Sequence, residues 1–95
     1  MSIRALLHNP RIPKEVRHAF AQAIVSSSAE QVLWREVCAR HTLDAFGIAG
    51  VDEAEDIVAA RGWFKNNYDD VLLAFEYAGV NHEPVVKALE KLGFG

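Results

Sequence analysis

Cysteine is almost missing from this 95-residue chain: Cys38 stands alone, so no internal disulfide can form, in keeping with a reducing compartment. No apolar run approaches the roughly 18 residues that a bilayer span requires. The opening MSIRALLHNP has neither the apolar stretch nor the small-residue cleavage site of a secretory signal. These absences predict a soluble, cytoplasmic protein with no membrane partner. Period-two alternation is also lacking, and no two-residue hairpin signal occurs, which argues against a sheet. Nothing matches a glycine-rich phosphate loop, a Ser-His-Asp order or a paired set of catalytic carboxylates. No enzyme is expected, and no cofactor is implied.

What is present points to a folded, all-α protein. Apolar residues make up 51% and charged residues 24% of the chain, unlike a disordered segment. A chain of this size buries about 64% of its extended surface in one core. Without linkers, low-complexity tracts or internal repeats, residues 1–95 read as a single compact helical domain. Charge is unevenly spread. Met1 to Val25 carry Arg4, Arg11, Lys14 and Arg17 against Glu15, whereas Val51 to Gly95 carry nine acids against Arg61, Lys65, Lys87 and Lys91. Opposite-sign ends of this kind can steer a partner or join like subunits into a homo-oligomer.

Apolar spacing and punctuation predict five or six short helices. Ser2 is positioned to cap the first, with Ile3, Leu6 and Leu7 as its apolar edge, and Asn9-Pro10 closes it. Pro13 opens the second, which buries Val16, Phe20, Ala23 and Ile24 and turns Lys14, Arg17, His18 and Gln22 outward. Ser27 with Glu30 and Ser28 with Gln31 have capping-box spacing ahead of a third helix that runs to about Phe46. That helix is apolar nearly all round, with Glu36, Arg40 and Asp44 as a narrow wet strip, and is expected to be the central element. Gly47 and Gly50 bracket a loop. Asp52 and Glu55 then cap a fourth helix, whose stripe is Ala54, Ile57, Val58 and Phe64 and which ends near Gly62 to Lys65. Asn67 is expected to cap a fifth helix facing inward through Val71, Ala74, Phe75 and Ala78. Asn81 caps the last, with Val85, Ala88, Leu89 and Leu92 toward the core.

The final two helices have the order of a helix-turn-helix: a glycine able to adopt the left-handed conformation, an aliphatic residue to plug the corner, and a valine six after the glycine to lock the second helix. A plain helical hairpin has similar punctuation. Phe75, four before Gly79, stands where DNA-binding versions are usually small. On the DNA reading, Asn81, His82, Lys87 and Lys91 face the duplex, and Arg11, Lys14 and Arg17 supply backbone attraction. Glu83 and Glu90 can neutralise Lys87 and lessen it.

From Glu53 to Leu92, the series Ala60, Trp63-Phe64, Asp69-Asp70, Tyr77-Ala78-Gly79-Val80 and Val85 resembles small phage- and prophage-encoded helix-turn-helix-like proteins. The layout of this region is similar to the promoter-reading end of sigma factors. The resemblance covers about two-fifths of the chain and implies a small phage or bacterial regulator that associates with duplex DNA. The sequence departs from that pattern in the acids of its last helix and in Val86-Lys87, where a promoter reader carries more arginine.

Other features have plainer readings beside sharper ones. Cys38 and His41 are three apart on one helical face, as a metal or nucleophile pair would be, but no second ligand pair exists, so a buried thiol and a hydrogen-bonded histidine are expected. The acids 52–56 and Asp69-Asp70 are explained by first-turn electrostatics. Arg61, on an apolar stripe, is expected to reach water or an acid of a neighbouring helix. Trp63, Tyr68 and Tyr77, with Glu83, offer an alternative function: an interface for a basic host protein or another subunit, used by a protein-interaction module or inhibitor.

Overall fold

Proline, glycine and a few long polar side chains decide where the helices begin and stop. The computed structural model describes residues 2–25, 28–48 and 54–93. The described residues form six helices and no strand: α1 (Ser2–His8), α2 (Lys14–Ala23), α3 (Ala29–Ala45), α4 (Ala54–Asn66), α5 (Tyr68–Ala78) and α6 (Glu83–Lys91). Pro13, extended at φ −54° and ψ 143°, leads into α2, and its carbonyl accepts the amides of Val16 and Arg17. Ser28 and Gln31 close a reciprocal capping box at the start of α3. The expected caps at Ser27 and Asp52, and the loop glycine Gly50, lie outside the described residues.

Helix α3 is the central rod. It packs on α1, α4 and α5, while α2 joins α1 to α6. The result is a single all-α globule of 34 × 27 × 21 Å. Its core runs from Leu6, Ile12, Val16 and Phe20 through Cys38, Ala39 and Leu43 to Phe64, Val71, Phe75, Val85 and Leu89. The rings of Phe20, Phe75 and Phe64 form a chain, with centroids 5.9 and 6.1 Å apart.

Three expected core residues lie outside it. Ile24 and Leu92 are exposed because α2 and α6 have ended by those positions. Val58 is 70% exposed. The inward line of α4 is instead Ile57, Ala60 and Phe64, and Val58 is turned about 100° from Ile57.

Polar caps also differ from expectation. Ser2 lies within α1 and does not cap it. Instead Glu36 of α3 reaches across, accepting the Ser2 amide at 2.9 Å and the Ile3 amide at 3.1 Å, because a carboxylate satisfies and stabilises a positive helix terminus better than a hydroxyl. Glu36 therefore leaves the wet strip, on which the Arg40–Asp44 pair forms at 3.4 Å. Asn67 precedes α5, but its side chain caps nothing. Its own amide is still bound to Trp63 O in the last turn of α4, and ψ of 46° is not the extended geometry that a side-chain cap requires.

Two arginines tie helix C-termini together. Arg61 donates from Nε to Ala45 O at 2.8 Å, closing the end of α3 with a cation. Its partner is a carbonyl and not an acid. Arg35 is 4% exposed. Its Nη2 donates to Ala23 O at 2.6 Å and to Ala78 O at 3.4 Å, joining the ends of α2 and α5.

Candidate binding surfaces

The corner between α5 and α6 is built as its spacing predicts. Gly79 is left-handed at φ 71°, the Val80 amide closes back on Phe75 O at 3.0 Å, and Val80 and Val85 are buried. A Cβ on Gly79 would sit 3.3 Å from Gln31 Nε2, and that amide is already held by the α3 capping box. Gly79→Ala should therefore lower stability by about 1–2 kcal/mol, mostly from left-handed strain, read as an earlier urea midpoint at unchanged slope.

Beyond the corner, α6 lies against α2. Its Asn81, Glu83, Lys87, Glu90 and Lys91 are exposed. Asn81 Oδ1 accepts the Glu83 amide at 3.2 Å in the turn before α6. The cap position is held by His82, whose side chain caps nothing, so the cap expected at Asn81 falls one residue short because the helix starts later than its spacing suggests. The His82 ring stands edge-on to Tyr68 at 6.1 Å, with the phenol oxygen 3.4 Å from Nε2. Between α2 and α6 opens a groove of about 520 Å³. Pro13, Phe46, Pro84, Ala88 and Leu92 give it apolar walls, and Arg11, Lys87 and Lys91 line it together with Glu15 and Glu83. The expected Glu83–Lys87 and Lys87–Glu90 pairs do not close among the described residues, where Arg40–Asp44 is the ion pair formed. Lys14 is exposed on α2 but does not line the groove. Arg17 is half-buried and donates from Nε to Ile12 O at 3.1 Å, so it is withdrawn from the outer surface.

A second concavity, about 280 Å³, lies among α3, α4 and α5, lined by Trp34, Val37, His41, Trp63, Asp70, Leu73, Ala74 and Tyr77. Trp63 is half-buried, while Tyr68 and Tyr77 are nearly half-exposed. Tyr68 does not line it and stands against His82. His41 is legible in sequence as the neighbour of Cys38, but nothing linear shows that it shares a crevice with Trp34, Trp63 and Tyr77.

Cys38 and His41 do not act together. His41 Nδ1 donates to Val37 O at 2.8 Å, and its ring lies 4.3 Å from that of Trp63. Cys38 is fully buried, and burial pushes its thiol up to about 12. An unfolded chain ionises this thiol near pH 8.5 and the native chain does not, so the unfolded form loses a proton first and stability falls as pH rises from about 9 toward 12. Wild type should show this alkaline decline more steeply than Cys38→Ala. Native Cys38 should also resist a disulfide reagent at pH 8 except at the rate of unfolding. Among the described residues no three His, Cys, Asp or Glu side chains gather as a metal site, and no helix is long and apolar enough to cross a membrane.

Compared with family models, curated proteins and solved structures, the chain matches none.

Proposed function

We propose that this protein is a small non-enzymatic regulator that engages duplex DNA with the exposed face of α6. One observation carries the reading: Arg11, from the turn before α2, and Lys87 and Lys91, from α6, line the same groove beside a helix that leaves a left-handed glycine corner. These three cations outnumber the two carboxylates of the groove, Glu15 and Glu83, and an excess of cations on one surface is what phosphate attraction needs. Asn81 is engaged by the Glu83 amide and Arg17 by Ile12 O, so attraction rests on the three groove cations, and sequence reading falls to His82 and Lys87. The phage-like layout of residues 53–92 is in keeping with such a role.

With three phosphate contacts, binding to a 30-base-pair duplex should weaken with salt with a log–log slope of about −2.7, and each of Arg11→Gln, Lys87→Gln and Lys91→Gln should flatten it by about 0.9. Failure to bind any duplex at about 20 mM salt would end this reading, since electrostatic binding is strongest there. The apolar walls of the groove favour a second reading, in which it receives a protein segment. In that case Leu92→Asp should abolish partner binding while the three glutamine variants have smaller effects.

A further inference from the structure

We infer that the crevice among α3, α4 and α5 is a binding site for a quaternary ammonium head, independent of any contact made by α6. Four aromatic side chains from three helices line it: Trp34 and His41 from α3, Trp63 from α4 and Tyr77 from α5. They are arranged as two ring pairs, Trp34 with Tyr77 at 5.4 Å and His41 with Trp63 at 4.3 Å. Indole and phenol faces carry negative potential, and a cation held over them is attracted more strongly as water is displaced.

The charge of the lining points the same way. Asp70 is its single carboxylate, and neither lysine nor arginine lines it. Val37, Leu73 and Ala74 complete walls that offer little hydrogen bonding. Asp70, His41 and Tyr77 offer acceptors to a primary ammonium as well, so the preference for a head without donors rests on the ring faces and on the aliphatic share of the lining. A trimethylammonium group has no donor to lose, spreads its charge over methyl surface, and fits a crevice of about 280 Å³. His41 strengthens the match. Val37 O can only accept, so Nδ1 carries the proton of that bond, and the ring is fixed against Trp63 in a single orientation.

Trp34 and Trp63 are the two tryptophans of the chain, so their indole N–H resonances report the site directly. Titration with choline should shift both signals saturably, and the neutral isostere 3,3-dimethyl-1-butanol should bind at least about tenfold more weakly. Tyr77→Ala, at a half-exposed position where the fold is retained, and Asp70→Asn should each weaken choline binding about three- to tenfold. Circular dichroism should remain unchanged in both. A peptide bearing trimethyllysine that binds more tightly than choline assigns the head to a partner protein, and the reverse order assigns it to a free solute; either supports the site. Equal binding of choline and its neutral isostere, absence of saturable shifts up to about 100 mM, or indifference to Tyr77→Ala in a folded variant would overturn the proposal.

Discussion

Arg35→Ala should destabilise the protein by about 3–5 kcal/mol, a large part of the roughly 5–15 kcal/mol that holds a domain of this size together. The guanidinium is buried with no carboxylate partner among the described residues; its acceptors there are two main-chain carbonyls, Ala23 O and Ala78 O. Both lie at helix C-termini, where the last carbonyls lack intrahelical partners and a positive charge is favoured. Hydrogen bonds from a charged donor contribute about 1.5–3 kcal/mol each. The 2.6 Å bond to Ala23 is the stronger, and the 3.4 Å contact to Ala78 adds less. Against these stands desolvation, which lowers the arginine pKa and leaves Nε without an acceptor among the described residues. Truncation removes both bonds and opens a cavity. Arg35→Met refills the space without restoring a donor, so it should recover the packing share and still lose about 1–3 kcal/mol. Urea denaturation of the three proteins separates the two terms. If methionine matches wild type, the carbonyls are not held by this residue.

Arg35 also shows where linear reading fails. Periodicity identifies α3 as apolar nearly all round and therefore central, and the structure agrees, with α1, α4 and α5 packed about it. The same periodicity places Glu36, Arg40 and Asp44 on one wet strip. It cannot show that the start of α1 will fall opposite Glu36, or that the ends of α2 and α5 will fall opposite Arg35. A charged residue on an all-apolar helix signals that something polar must meet it, but a helix end supplies that partner only through tertiary structure.

Local signals fared better. The left-handed Gly79, the plugged Val80 and the locking Val85 each depend on backbone geometry within ten residues, and each is where the spacing put it. The candidate surfaces divide along the same line. Lys87 and Lys91 were visible as outward residues of α6 from spacing alone. The arrival of Arg11 beside them, and of Trp34 and His41 beside Trp63 and Tyr77, required the fold.

Phe75→Ala should have an effect as large as loss of Arg35, again about 3–5 kcal/mol. A small residue at this place would let two helices of a corner touch directly. Here a phenyl ring occupies it, fully buried, edge-on to Phe20 of α2 and tilted against Phe64 of α4. The ring joins the two parts of the molecule, the α2–α6 pair that forms the groove and the α3–α5 group that forms the aromatic crevice. Phe75→Leu keeps most of the volume and should lose about 1–2 kcal/mol. A double-mutant cycle of Phe75→Leu with Phe20→Leu should return a coupling of about 0.5–1.5 kcal/mol for the edge-to-face contact. Additive effects would mean that the two rings merely share the same apolar interior. Because the α5–α6 corner is anchored through this ring, Phe75→Leu should also loosen the groove before it unfolds the chain, detectable as faster amide exchange in α6 than in α3 under native conditions.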